Sequence, residues 1–156
     1  MSFTVSGLPV EPFQSLFGLS EEALAERGVV RQIAQAGGRY PCRITLEDAA
    51  PGESLLLLNY EHHGAATPYR SNHAIYVNEA AVEPRAFVGV VPPVIGGRPI
   101  ALRAYDETGM MVWAELVLPD QDMAAAIGRG LGEPGVSYLH AHNPARGCYA
   151  ARIDRA

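Results

Sequence analysis

Four consecutive leucines, Leu55 to Leu58, carry no polar alternation. That pattern predicts a strand covered on both faces and central in its sheet. Ala74-Ile75-Tyr76-Val77 reads as a return strand. Between the two lies an abruptly polar stretch, Asn59 to His63, then a Gly-Ala-Ala-Thr-Pro connection, then Tyr69 to His73. It is expected to form a working loop between buried strands, the position where binding residues concentrate.

Elsewhere the pattern predicts a short first strand from Phe3, Val5 and Leu8, and a helical face from Phe13, Leu16 and Phe17 after Pro12. Leu19 to Arg27 is expected to be a helix, with Ser20 as its cap, Glu21 and Glu22 in its first turn, and Gly28 as its stop. Val29 to Ala36 reads as a strand, Tyr40 to Ile44 as a short extended piece, and Phe87 to Val91 as a further strand in a Pro- and Gly-rich stretch. Ile100 to Tyr105 and Met110 to Leu118 flank Asp106-Glu107-Thr108-Gly109 as a hairpin. Met123, Ile127 and Leu131 repeat at helical spacing after Asp120 as cap, ending near Gly132. Val136 to His142 and Cys148 to Ile153 close the chain as a second hairpin around a five-residue loop.

Strands do not alternate with helices, so the expected fold is α+β: a single domain over 1–156, dominated by antiparallel strands, with two or three short helices. Leu56, Leu58, Ile75, Leu102, Trp113 and Leu139 are its expected core.

Composition narrows the function. Net charge is -5 with no cationic run, which disfavours nucleic acid, because phosphate backbones need clustered cations. No apolar block approaches the roughly 20 residues a membrane span needs, and the first residues lack a leader pattern, so a cytoplasmic protein is expected. Two cysteines without an export signal read as thiols. All 12 basic residues are arginine, which removes Schiff-base lysines and P-loops. The Gly128-x-Gly130-x-Gly132 run closes a helix instead of opening one, so it is no phosphate loop.

Three candidate chemistries remain. Arg43 and Arg70, with Tyr60, Tyr69 and Ser71, offer guanidinium forks and hydroxyl donors for a small anion in a pocket bordered by the 60–72 loop. Arg152 is a further guanidinium of this set, and ordinary ion pairing is the alternative role for all of them. Tyr138, His140 and His142 share one strand face. With a five-residue loop, Cys148 would sit opposite His142, so His140, His142 and Cys148 would begin a zinc site of an enzyme type. Of His62 and His63, adjacent on an extended strand, only one would face such a site. A thiol nucleophile with a nearby histidine is the third chemistry, without a recognisable motif around Cys42 or Cys148. A partner-docking module without a ligand is the remaining alternative, and it requires a continuous apolar surface.

Tyr40-Pro41-Cys42-Arg43, the leucine strand, Thr67-Pro68-Tyr69-Arg70 and Cys148-Tyr149-Ala150-Ala151-Arg152-Ile153-Asp154 together resemble a bacterial family, domain of unknown function family 1203. The resemblance covers essentially the whole chain. It implies a single bacterial domain and transfers no activity, cofactor or catalytic residue. A small-anion binding domain is therefore the leading expectation, with the metal-dependent enzyme and the docking module behind it.

Overall fold

A computed structural model describes residues 1–156. The chain runs β1 (Phe3–Ser6), α1 (Glu11–Gln14), α2 (Glu21–Ala25), β2 (Val30–Ile33), β3 (Pro41–Cys42), β4 (Glu47–Asp48), β5 (Ser54–His63) and β6 (Ser71–Asn78). It continues through β7 (Ala86–Val88), β8 (Ile100–Tyr105), β9 (Met111–Val117), α3 (Met123–Gly132), β10 (Tyr138–His142) and β11 (Tyr149–Arg155). Two sheets result: β7-β1-β11-β10-β8-β9, wholly antiparallel, and β2-β5-β6-β3-β4, antiparallel except where Cys42 pairs with Tyr76. This is the α+β class expected from the pattern, with three helices.

The helix ends follow local chemistry. The Ser20 side chain accepts from the Ala23 N–H at the start of α2, and Gly28, at φ 69, turns the chain out of it. Asp122, not Asp120, caps α3 by accepting from the Ala125 N–H. Asp120 lies in the preceding turn, two residues short of the N-cap.

Each sheet carries its own apolar core. Leu102, Leu139, Ala151 and Ile153 pack with Ile127 and Leu131 of α3 under the six-stranded sheet. Leu56, Leu58, Ile75 and Val77 pack with Phe13 and Leu24 under the five-stranded one. Five of the six expected core residues are buried, while Trp113 covers the margin of the first core and stays partly exposed. The leucine strand is flanked on both sides, by β2 and β6, and Leu55, Leu56 and Leu58 are buried. Leu57 instead faces a cavity. β11 ties the two cores together, because Tyr149 belongs to the second while Ala150, Ala151 and Ile153 belong to the first.

The expected loop from Asn59 to His73 is mostly strand. β5 extends through His63 and β6 starts at Ser71, leaving only residues 64–70 as connection. Cross-strand pairs such as Tyr60 with His73 and Glu61 with Asn72 prolong the ladder through polar residues. No helix is long and apolar enough to cross a membrane.

Candidate functional site

Polar chemistry gathers at two places. The first is a buried aromatic cluster where the ends of β5, β8 and β10 meet the start of β11. Tyr138, His140 and His142 do share one face of β10, and the pairing shifts register at three places nearby, where His62 of β5, Val112 of β9 and Ala150 of β11 are the extra residues. Bulges re-aim side chains. Consequently both His62 and His63 enter the cluster, correcting the expectation that only one could: their rings lie 6.2 and 5.6 Å from that of His140. His62 also stacks on Tyr149 at 5.3 Å and His63 on Tyr105 at 4.3 Å.

Burial holds these imidazoles neutral. Desolvation pushes His140 down to about 2, His142 to about 3 and His62 to about 4, with neighbouring cations adding to the shift, and it lowers His63 as well. The His142 Nδ1–H donates to the Gly147 carbonyl at 3.0 Å, leaving its Nε2 buried without a partner. His140 Nδ1, His63 Nδ1 and both nitrogens of His62 are also buried and unpartnered.

The expected metal set is not assembled. Arg152 pairs with His140 and Tyr149 with His142, and the Asn143 N–H donates to the Cys148 carbonyl, so the turn is one residue shorter than expected and Cys148 falls at its end and not across from the histidines. No group of three or more His, Cys, Asp or Glu side chains is arranged to hold a metal ion.

The second place is a cavity of about 640 Å³ between the sheets. Its arginines and its thiol come from three segments: Arg39 and Arg43 from around β3, Arg98 ahead of β8, and Arg146 with Cys148 from the β10–β11 turn. Leu57, Ile75, Val94 and Ile100 supply apolar wall, and His73 closes one side. No Asp or Glu lines it.

Arg43 is the decisive member. Its backbone is pinned twice, the N–H donating to the Tyr76 carbonyl at 2.9 Å and the carbonyl accepting from the Leu8 N–H at 2.8 Å. The side chain is 6% exposed, and its Nε and Nη1 atoms are buried without hydrogen-bond partners. Desolvation lowers its pKa to about 10, with Arg98 adding repulsion, so the guanidinium remains charged at neutral pH. Arg98 pairs with Asp48, whereas Arg39, Arg43 and Arg146 make no ion pair.

Of the residues proposed for anion recognition, only Arg43 lines this cavity. Arg70 reaches Glu61 at 3.0 Å on the surface, and the Ser71 hydroxyl donates to the Tyr69 carbonyl at 2.6 Å. Tyr60 packs its ring on Phe13 at 5.5 Å, and Tyr69 is exposed. Arg152 forks onto Asp154 at 2.9 Å and lies over the Tyr138 ring at 3.9 Å. The 60–72 loop thus does not border the cavity; the next residues, His73 to Tyr76, do. Arg39, Arg98 and Arg146 carry no signal in the sequence, because they lie in separate segments and share no motif.

A family described as "Protein of unknown function (DUF1203)" matches residues 39–155, a span that holds the cavity arginines and the histidine cluster alike. The chain belongs to this family. The DUF1203 match begins at Arg39, the first cavity arginine, and leaves β1, α1, α2 and β2 outside it. No curated protein and no solved structure matches the chain.

Proposed function

We propose that this DUF1203 chain binds a small, multiply charged anion carrying an apolar portion in the cavity of Arg39, Arg43, Arg98 and Arg146. The observation that carries the reading is Arg43: a charged guanidinium, buried, with two nitrogens unpartnered, in a cavity that contains no carboxylate. Burying a charge without a partner costs several kcal/mol. An anionic ligand offsets that cost by accepting from the guanidinium, in a bidentate geometry suited to carboxylate or phosphate oxygens. The apolar walls from Leu57, Ile75, Val94 and Ile100 favour a ligand with some carbon framework over a bare ion.

Thermal unfolding in pyrophosphate and in citrate, against sodium chloride at matched ionic strength, tests this. A ligand that binds only the folded state and is present at 100 times its Kd adds about 2.7 kcal/mol, or roughly 5–10 °C for a chain of this size. The expected result is a concentration-dependent rise in native protein that shrinks in Arg43→Gln and Arg146→Ala. No rise above the chloride control, or the same rise in both variants, overturns the reading.

A further inference from the structure

The arginine cavity contains a thiol. Cys148 lies in the turn between β10 and β11, partly accessible, and lines the same cavity as Arg43 and Arg146. The turn is held in place: the Asn143 N–H donates to the Cys148 carbonyl at 2.8 Å, and the Gly147 N–H to the Asn143 carbonyl at 2.7 Å. Gly147, at φ 83, bends the chain immediately before the thiol. Cys42, by contrast, is 1% exposed and its Sγ accepts the Asn78 N–H at 3.2 Å, the mark of a packed, inert thiol.

We propose that Cys148 is a nucleophilic thiol that the arginine cavity supplies with anionic low-molecular-weight disulfides, the carboxylate-bearing class. The proposal rests on the anion-binding reading and names what the site does with the ligand. Two observations carry it together: the accessible thiol in the cavity wall, and the buried, unpartnered Arg43 that shares that wall and calls for an anion. The thiolate is the attacking species, and guanidinium groups raise the local concentration of an anionic partner. In the step itself, Cys148 loses its proton to solvent and its sulfur attacks one sulfur of the disulfide. The Cys148–S bond forms, the disulfide S–S bond breaks, and the departing thiolate carries the electron pair away and takes up a proton. A mixed disulfide on Cys148 and one free anionic thiol result, with no other oxidant or reductant needed.

The test compares two disulfide probes on the native chain: 5,5′-dithiobis(2-nitrobenzoate), which is dianionic, and 4,4′-dithiodipyridine, which is neutral. The ratio of their rates is referred to the same ratio for a free small-molecule thiol, and peptide mass spectrometry locates the modified cysteine. The expected result is modification at Cys148, with an anionic-to-neutral ratio roughly tenfold or more above the reference, in line with electrostatic enhancement of encounter rates. That excess falls in Arg146→Ala, whose side chain is exposed and whose loss does not threaten folding. Excess pyrophosphate slows the dianionic probe selectively.

A ratio equal to the reference, an excess unchanged in Arg146→Ala, or modification confined to Cys42 overturns the proposal. If pyrophosphate still stabilises the protein in the thermal assay, only the thiol proposal falls. If neither pyrophosphate nor citrate does, the anion-binding reading falls as well.

Discussion

The His63 Nε2 lies 3.0 Å from the Tyr138 hydroxyl, joining the last residue of β5 in one sheet to the first residue of β10 in the other. The contact sits within the aromatic cluster. Tyr138→Phe keeps the ring and removes the hydroxyl, leaving the His63 nitrogen unsatisfied. The expected loss is about 1–2 kcal/mol in urea unfolding. A change within about 0.3 kcal/mol would show that the contact does not help hold the sheets together.

The buried histidines make stability fall with acid. Unfolded, each imidazole titrates near 6.5; folded, desolvation holds His140 to about 2 and His142 to about 3. Below pH 6.5 the unfolded chain therefore binds protons that the native chain excludes, so stability present above 6.5 is lost as pH falls toward the folded values. Between pH 6.5 and 5 the expected loss is roughly 1–2 kcal/mol for each of these two histidines. Glu79 adds nothing in that window. Its pKa is held to about 2, chiefly by the Arg31 hydrogen bond, so its contribution fades only below 4.5. Urea midpoints at pH 7.5, 6.5, 5.5 and 5 measure this directly, and His140→Gln is expected to flatten the slope. A midpoint independent of pH over that range contradicts the buried neutral cluster.

Two glycines in α3 are expected to respond in opposite directions. A Cβ on Gly130 would stand 2.7 Å from Trp113 Cζ3 and 3.1 Å from Leu139 Cδ1, where the helix lies close on its sheet. A Cβ on Gly128 meets nothing within 4 Å. Gly128→Ala is expected to gain about 0.5–1 kcal/mol from helix propensity. Gly130→Ala makes the same propensity gain but forces Trp113 and Leu139 aside, for a net loss of about 1 kcal/mol or more. Paired thermal melts decide between them, and a stabilised Gly130→Ala would mean that the helix packs more loosely than its contacts indicate.

Much of the fold is legible in the residues because the determinants are local. Ser20 caps α2, Asp106 to Gly109 turn β8 into β9, and the Leu55 to Leu58 run builds an interior strand, all through chemistry contained in a few neighbouring positions. The candidate sites were less legible for the converse reason. Polarity from Asn59 to His63 suggests a loop, yet pairing with β6 satisfies that backbone and keeps it extended. A turn one residue shorter than the expected five brings the Asn143 N–H to the Cys148 carbonyl and sets Tyr149 opposite His142, so Cys148 lies in the wall of the arginine cavity instead of on the histidine face. Arg39, Arg43, Arg98 and Arg146 come together only through the packing of separate segments, and of the four only Arg43 stands in a stretch whose pattern points to a site.

Arginine side-chain NMR measures the central claim most directly. In uniformly 15N-labelled protein, the Nε–H resonances of Arg43 and Arg70 are followed as pyrophosphate is added at constant ionic strength. Arg70, tied to Glu61 at the surface, serves as the internal control. The anion-binding account predicts that the Arg43 resonance shifts along a saturating curve while Arg70 moves little and without saturation. An Arg43 resonance that stays fixed, or drifts linearly alongside Arg70, contradicts it.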